Sequence, residues 1–451
     1  MNQAGFLQDL FASIAERGRR LLDFGGEGDG SADLAELAEA LYSSLGEASG
    51  VAIADRMLRA YEARDEEGRV AFFRLLCDRF GIDADEAVAA AEAYREAPSP
   101  EALERLHLAA EPRRQELIRR LNLAPGGTAK LVRMREDLLA ALRGHPDLRG
   151  LDMDFRHLFQ SWFNRGFLEA RRIDWQTPAA ILDKIIRYEA VHEISDWEDL
   201  RRRIDPPDRR LYAFFHPRLA DEPLIFVEGA LTVDMPATIA SILSADRPIT
   251  SPADARTAVF YSISNCQAGL RGVSFGNFLI KQVVEDLRRE LPNLRTFVTL
   301  SPVPGFAAWL AEERRRENGL VDAEAGDLLA ALDAESWWQD EALLRRLEPV
   351  MTELAAYYLA RARNGAGRPL DPVARFHLGN GARLERINFM GDRGREGLRR
   401  AHGFLVNYLY KLEDIERNHE AYANSGTVAA SPPVMRLARS RNPMEAQIVT
   451  A

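Results

Sequence analysis

The stretch that decides the fold is residues 259–306, which reads VFYSIS (Val259–Ser264), NCQAGLRGVSFG (Asn265–Gly276), NFLIKQVVEDLRREL (Asn277–Leu291) and TFVTL (Thr296–Leu300), and ends on SPVPGF. Its apolar pattern predicts a strand, a glycine-bearing turn, a helix and a second strand. Backbone N–H groups in such a turn, at a helix N-terminus, bind anions. Ser301 follows the second strand, so we expect a cradle for a phosphate-bearing carrier whose reactive end reaches this serine.

The bulk composition limits the class of protein. A chain of 451 residues has enough material for two or three domains with full cores. A net charge of −10 disfavours nucleic acid as the main partner, and the absence of a long apolar run predicts no membrane span. Only four of the 59 basic residues are lysines, which together with the many alanines and glycines indicates GC-rich coding, so we expect a bacterial protein. The two cysteines are far apart in the sequence, so we expect a reducing cytoplasm.

The distribution of apolar and turn-forming residues along the chain predicts three regions. Residues 1–146 carry apolar stripes with helical spacing, which predicts an all-helical domain for packing or oligomerisation. Residues 147–427 alternate strands and helices, with a hairpin predicted at Leu211–Thr232 and a final helix at His402–Tyr422. Residues 428–451 are expected to form a loosely ordered tail. The fold class expected is therefore α+β, an all-helical domain followed by a mixed α/β domain.

The turn Gln267–Gly276 has the sequence QAGLRGVSFG. It is neither a Walker A loop nor a dinucleotide fingerprint, because the lysine and the glycine spacing of those motifs are missing. Its glycines indicate that the backbone approaches another group closely, or else that they merely form a tight turn. Arg271 is either a phosphate ligand or a solvated side chain.

A serine and a histidine are the candidate catalytic residues. Ser301 precedes Pro-Val-Pro-Gly, which stiffens the loop and fixes the direction of the hydroxyl, although no nucleophile elbow is present. His377 lies in a predicted Gly/Asn-rich loop, where an imidazole can act as acid or base. The residue pattern alone does not favour His377 over His402. Tyr408 and Tyr410 lie on the predicted final helix and would face different sides.

Several motifs resemble those of the malonyl-CoA decarboxylase family: FYSISNCQAGLRGVSFGNFLIK, TLSPVPGF, FHLGNGARLERINFM and NYLY. The resemblance is strongest over residues 150–413. It implies that the mixed α/β domain is of the GCN5-related N-acetyltransferase type and that the glycine-bearing turn is its acyl-CoA cradle. Two departures stand out, since Leu270 replaces the first glycine of the pyrophosphate loop and Ser274 replaces a glutamate of animal members.

The resemblance also implies residue roles. Ser301 and His377 match the two catalytic positions, with Tyr410 and Asn380 as supporting residues. The residues expected to bind CoA are Gln267, Arg271, Gly272, Val273, Ser274, Phe275, Gly276 and Asn277. No metal and no cofactor are expected, because the thioester of the substrate is itself the electron sink; CoA enters as part of the substrate. A backbone N–H of residues 271–277 is the expected donor to the enolate oxygen.

The activity implied is that of a carbon–carbon lyase of fatty acid metabolism, which converts malonyl-CoA to acetyl-CoA and CO2 through an enolate protonated by His377. The alternatives are an acyl-CoA N-acyltransferase, a non-catalytic acyl-CoA sensor and a serine hydrolase. The partners expected are malonyl-CoA and acetyl-CoA. The helical domain and the family resemblance together predict a homo-oligomer, either a dimer or a tetramer.

Overall fold

The computed structural model describes residues 33–43, 46–219, 221–273, 279–317 and 319–440. Over these residues the helices are α1 Leu34–Ser43, α2 Glu47–Glu62, α3 Glu66–Arg79, α4 Ala84–Glu96, α5 Pro100–Ala110, α6 Arg113–Leu121, α7 Gly127–Ala141, α8 Arg149–Trp162, α9 Ala179–Tyr188, α10 Trp197–Ile204, α11 Ala240–Leu243, α12 Leu279–Glu290, α13 Phe306–Glu313, α14 Ala323–Leu329, α15 Glu341–Ala360, α16 Pro372–Gly379, α17 Arg395–Ala401, α18 Ile415–Ser425 and α19 Pro432–Ser440. The strands are β1 Glu169–Ile173, β2 Arg209–Phe215, β3 Pro223–Thr232, β4 Thr257–Asn265, β5 Thr296–Thr299, β6 Ser301–Pro302, β7 Arg383–Asn388 and β8 Leu405–Leu409.

The chain forms two compact units. Over the described residues, the first contains residues 33–170, 214–225 and 265–273, and the second contains the rest. The helical unit continues past the boundary expected at 146/147, to residue 170, and also takes in two short segments from the middle of the chain. Leu219 and Leu270 are buried in the same apolar core as the helices, and burial of such side chains is the main force that holds a unit together.

The helical unit contains α1–α8, of which α1–α7 lie in the region 1–146 that the apolar stripes predicted to be helical. Several of its helices begin at a polar cap: the side chains of Asp65, Asp83 and Ser99 each accept a hydrogen bond from a backbone N–H in the first turn. Such caps satisfy donors that the helix itself leaves unpaired. The core includes Leu131, Phe155 and other large apolar side chains.

A mixed sheet of eight strands, most of whose residues lie in the second unit, has the order β1–β2–β3–β4–β5–β8–β6, and β7 also pairs with β8. Strands β4 and β5 are parallel, with Val259 opposite Val298, and α12 is the helix that connects them. The predicted strand–turn–helix–strand order is therefore confirmed. Strands β2 and β3, the predicted hairpin, are neighbours in the sheet. The expected fold class, a helical region followed by a mixed sheet domain, is confirmed.

The predicted final helix at His402–Tyr422 is wrong in its first half. Residues 405–409 form β8, which pairs with β5, β6 and β7, and α18 begins only at Ile415. Strand β8 is buried over most of its length, including the polar Asn407, so its apolar residues 405, 406, 408 and 409 do not alternate as they would on a half-exposed strand. Their spacing resembles that of a helical stripe. That pattern was mistaken for helical periodicity, although Val and Tyr favour strands.

The tail expected to be loosely ordered also differs from the structure over its first half. Helix α19 packs against α15 and β7, and it buries Val434 and Ala438, which are four residues apart on one face. Ser431 anchors its start by donating from its backbone N–H to the Leu384 carbonyl (2.9 Å) and from its hydroxyl to the Glu385 carbonyl (2.7 Å). Residues 441–451 lie outside the described residues.

Candidate active site

Three side chains predicted as site residues form a hydrogen-bonded chain in the second unit. The Ser301 hydroxyl oxygen lies 3.0 Å from Nε2 of His377, and Nδ1 of His377 lies 2.8 Å from the hydroxyl oxygen of Tyr410. Ser301 also donates to Oγ1 of Thr299 over 2.9 Å. Because the Ser301 hydrogen goes to Thr299, the Ser301 oxygen accepts a hydrogen bond from Nε2–H of His377. Nδ1 of the neutral ring then has no hydrogen and accepts from the Tyr410 hydroxyl, which assigns one tautomer.

Strand pairing sets the position of Ser301. Strand β6 is antiparallel to β8, with Ser301 opposite Val406. Thr299, which receives the serine hydroxyl, is held in turn by two groups of β8: its Oγ1 accepts from the Tyr408 N–H at 3.2 Å, and its carbonyl accepts from Asn407 Nδ2 at 2.8 Å. Thr299 is a supporting residue that the sequence analysis missed.

His377 lies in the last turn of α16, whereas the sequence analysis placed it in a loop. The signal for this helix was present: Asp371 caps it by accepting from the Ala374 N–H at 2.8 Å, and Pro372 occupies its first position, where proline is favoured. The glycines and asparagine that suggested a loop belong to the C-terminal end of the helix. The imidazole is therefore held by a regular element, which positions it more rigidly than a loop would.

Tyr408 and Tyr410 both contact the histidine ring. The Tyr408 ring stacks on the ring of His377, with centroids 4.6 Å apart, and Tyr410 makes the hydrogen bond described above. Side chains two residues apart along extended backbone lie on the same face, whereas on a helix they face different sides. The expectation that the two tyrosines face apart is wrong, because this segment is a strand.

Burial determines the charge state of the site. His377 is 3% exposed, and its burial lowers the pKa of the imidazole to about 3, because a charged ring is poorly solvated there. Burial also raises the pKa of the Tyr410 phenol well above its usual range. Near neutral pH the chain of hydroxyls and imidazole is therefore uncharged.

The free energy of unfolding should report this burial. His377 has a pKa of about 3 when folded and about 6.5 when unfolded, so its contribution is fully present above about pH 6.5 and is lost as the pH falls. We expect the stability difference between wild type and His377→Asn to change by about 1.4 kcal/mol per pH unit below about pH 6, to the disadvantage of the wild type. Urea unfolding at a series of pH values measures it, and a pH-independent difference would contradict it.

The described residues 267–273 of the predicted CoA-binding turn belong to the helical unit. Gln267 donates to the Pro223 carbonyl (3.0 Å), Gly272 has φ +78°, which requires glycine or strains other residues, and Val273 is buried in the core. Arg271 is exposed. The predicted CoA-binding residues Ser274, Phe275, Gly276 and Asn277 lie outside the described residues.

At Gly269 the backbone of this turn approaches helix α7 closely. A Cβ atom at this position would overlap the carbonyl oxygen of Val132 in α7, so this glycine packs the turn against the protein's own helix. Nη1 of the buried Arg135 donates to the Gly269 carbonyl over 2.7 Å and its Nε to Asp152 over 2.9 Å. Arg156 approaches Gly272, where a Cβ would lie 3.7 Å from its Nε. The sequence analysis did not foresee these two arginines.

Gly269→Ala should destabilise the helical unit by about 3 kcal/mol, because the added methyl group has no room beside a backbone atom that cannot rotate away. Chemical denaturation with a helix-sensitive signal measures the change. Gly365→Ala is a suitable control, because a Cβ there meets no atom within 4 Å, and it should leave stability within about 0.5 kcal/mol of wild type. Equal stability of the two variants would contradict the prediction.

Two other candidates do not join the site. Asn380 donates from its side chain to the Phe376 carbonyl over 2.7 Å, which closes the end of α16 instead of contacting Ser301. The His402 ring packs against Phe306 and Trp337. Within the described ranges, no group of three metal-ligating side chains comes together and no helix has the length and apolarity of a membrane span.

Two protein-family models and a related protein indicate the same family. The malonyl-CoA decarboxylase C-terminal domain family matches residues 166–448, and the corresponding N-terminal domain family matches residues 80–163. The chain is 38% identical over 350 residues to the mitochondrial malonyl-CoA decarboxylase of Anser anser anser, covering 72% of this chain and 69% of that protein.

Two crystal structures of malonyl-CoA decarboxylases are similar along nearly the whole chain. That from Rhodopseudomonas palustris is 60% identical with a TM-score of 0.86, covering 91% of this chain and 100% of the other. That from Agrobacterium vitis is 58% identical with a TM-score of 0.87, covering 90% and 100%. The chain therefore belongs to the malonyl-CoA decarboxylase family.

Proposed function

We propose that this protein decarboxylates malonyl-CoA to acetyl-CoA and CO2. The observation that carries the proposal is the buried chain Tyr410–His377–Ser301, together with membership of the family. This chain offers one hydrogen-bond donor for a carboxylate and one group that takes up and gives back a proton. A decarboxylation that forms an enolate needs both.

Ser301 is proposed to orient the malonyl carboxylate. The C–C bond breaks readily when it stands across the plane of the thioester carbonyl, because its electron pair then passes into the forming enolate. In the free site the Ser301 hydroxyl donates to Thr299. When substrate binds, we propose that the hydroxyl turns to donate to the carboxylate instead, and this hydrogen bond keeps the carboxylate in that orientation. As CO2 departs, the negative charge moves from the carboxylate to the enolate.

His377 is proposed to deliver the proton. The free imidazole is neutral near pH 7, since its pKa is about 3. A malonyl carboxylate beside it raises that pKa, because an opposite charge favours the cationic ring. With substrate bound, His377 therefore takes up a proton from solvent, and the ring returns to neutrality when the enolate carbon takes that proton. One proton is consumed for each acetyl-CoA formed.

The remaining parts of the site follow from the resemblance. Gln267 and residues 271–277 are proposed to bind the CoA portion, and a backbone N–H of residues 271–277 to stabilise the enolate oxygen. No metal or organic cofactor enters the proposed reaction, because the thioester accepts the electron pair. We also propose a homo-oligomer in a bacterial cytoplasm, where the reaction would draw on the malonyl-CoA of fatty acid metabolism; light scattering that gives the monomer mass would overturn the oligomer.

The test is incubation with malonyl-CoA labelled at its free carboxyl group, with a chelator present and no acyl acceptor. Equal amounts of labelled CO2 and acetyl-CoA are expected. An acyltransferase would release CO2 only with its acceptor, if at all, and a sensor would bind the thioester without turnover. Either result would replace the proposal by the corresponding alternative.

A further inference from the structure

A cavity of about 160 Å³ lies beside the start of β2 in the second unit. Helix α10 and the segment 242–249 contribute to its walls, and four arginines line it: Arg202, Arg203, Arg209 and Arg247. Among the described residues that line it, Asp199 supplies the one carboxylate. Positive side chains therefore predominate at its surface.

Ion pairs account for three of the four arginines. Arg202 and Arg203 share one carboxylate: their Nη2 atoms lie 3.3 Å and 3.1 Å from the two oxygens of Asp199. Arg247 makes a bidentate contact with Asp208, at 2.6 and 3.0 Å. Each of these three arginines therefore has a carboxylate oxygen within 3.3 Å.

Arg209 is the least well paired of the four, because its one ion-pair distance, from Nε to Oδ1 of Asp208, is 4.0 Å. Its side chain is 2% exposed, and its Nη2 donates to the carbonyl of Ile242. Within the described part of the chain, its Nε and Nη1 have no hydrogen-bond partner; the Asp208 oxygen 4.0 Å from Nε is already bound by Arg247. A guanidinium group keeps its charge in proteins, and leaving two of its nitrogens buried without a hydrogen-bond partner is costly.

A neighbouring glutamate does not balance this charge. Glu228 is fully buried, with Oε2 3.4 Å from Nη1 of Arg203. Burial, reinforced by the charge of Glu189, raises the pKa of Glu228 to about 8. Even if Glu228 is counted as ionised, it makes with Asp199 and Asp208 only three carboxylates against four arginines, so the arginine cluster retains a positive excess.

We propose that the cavity lined by Arg202, Arg203, Arg209 and Arg247 binds a small doubly charged oxyanion of the size of inorganic phosphate. On binding, Arg209 would turn its unpaired N–H groups toward the oxygens of the anion, since planar guanidinium groups bind phosphate and carboxylate with paired hydrogen bonds. The volume of about 160 Å³ is smaller than the roughly 300 Å³ of most organic ligand sites. A bound anion would join β2 to the segment that contains Ile242 and Arg247.

The experiment is a titration of the full chain with inorganic phosphate at constant ionic strength, followed by thermal unfolding and by calorimetry. A ligand of the folded state raises the melting temperature in a saturable way, and we expect that result. Malonate, titrated in a second arm, distinguishes a dicarboxylate from phosphate as the preferred anion.

Two variants on the same helix separate a site from general charge screening. Arg202→Ala removes a partly exposed arginine that lines the cavity, and it should weaken phosphate binding about tenfold or more. Arg201→Ala removes its neighbour, which is paired with Asp205 and does not line the cavity, and it should bind as wild type. Arg209→Lys, which keeps a cation but loses the planar donors, should bind more weakly than wild type.

Arg271→Ala controls for phosphate that binds at the predicted CoA turn, and it should leave the titration unchanged. The proposal is overturned if phosphate and malonate have no saturable effect on wild type. Equal affinities of Arg202→Ala and wild type, or loss of binding in Arg271→Ala alone, would also overturn it. None of these results depends on whether the protein decarboxylates malonyl-CoA, so the two proposals fail separately.

Discussion

His377→Asn should lower kcat for malonyl-CoA decarboxylation by about 10³-fold. The ring is the one imidazole that contacts Ser301 among the described residues, and a positioned acid–base group is worth about 10²- to 10⁴-fold in rate. Asparagine has no titrating nitrogen, so the enolate must take its proton from water. Substrate affinity should change little, because the loss falls on the transition state.

A matched control separates this effect from damage to the fold. His402→Asn replaces the other histidine that the sequence left as a candidate, at a position with φ 47°, where asparagine is one of the better tolerated residues. It should retain kcat within about twofold, provided that circular dichroism shows both variants folded. A larger loss in His402→Asn than in His377→Asn would sink the assignment of the proton donor.

Ser301→Ala should lower kcat by about 10²- to 10³-fold, the usual effect of removing one preorganised donor from a charged transition state. The hydroxyl lies between His377 and Thr299, so its loss also frees the imidazole to reorient. Because the two residues act as a unit, the double variant with His377→Asn should be hardly slower than the slower single variant. Fully multiplicative losses would show that they act independently.

The control for this prediction is another buried serine. Ser262, on β4, donates to the carboxylate of Glu189 at 2.8 Å and is 1% exposed, so Ser262→Ala also deletes a buried hydroxyl and its hydrogen bond. It should cost stability but keep kcat near wild type. A fall in kcat equal to that of Ser301→Ala would mean that general loosening of the sheet explains both.

Much of the architecture could be predicted because its signals are local. The stripes at helical spacing gave the helices of the first unit, and VFYSIS and TFVTL gave β4 and β5 with α12 between them. Local signals also failed where burial was complete. The residues of β8 resemble a helical stripe because the polar Asn407 is buried with its apolar neighbours, so the apolar residues do not alternate. The Asp371–Pro372 start of α16 was overlooked.

The family and the identity of the candidate residues follow from short contiguous motifs, which a sequence contains in full. The glycines of the turn are different, because the sequence gives their spacing but not their neighbours. Gly269 lies against Val132 of α7, a residue more than 130 positions away. The glycine spacing therefore indicated that the backbone approaches another group closely. It did not show that, at Gly269, this other group is a helix of the same protein.

By itself the sequence determined the helical first region, the strand–turn–helix–strand segment and a serine and a histidine as candidates for catalysis. Only the tertiary structure decided that Ser301 pairs with His377, 76 positions away, and not with His402. It also decided that Tyr408 and Tyr410 lie on one face toward that histidine. The physical reason is that periodicity and capping act over a few residues, whereas this pairing depends on the register of β6 against β8 and on how α16 packs beside them.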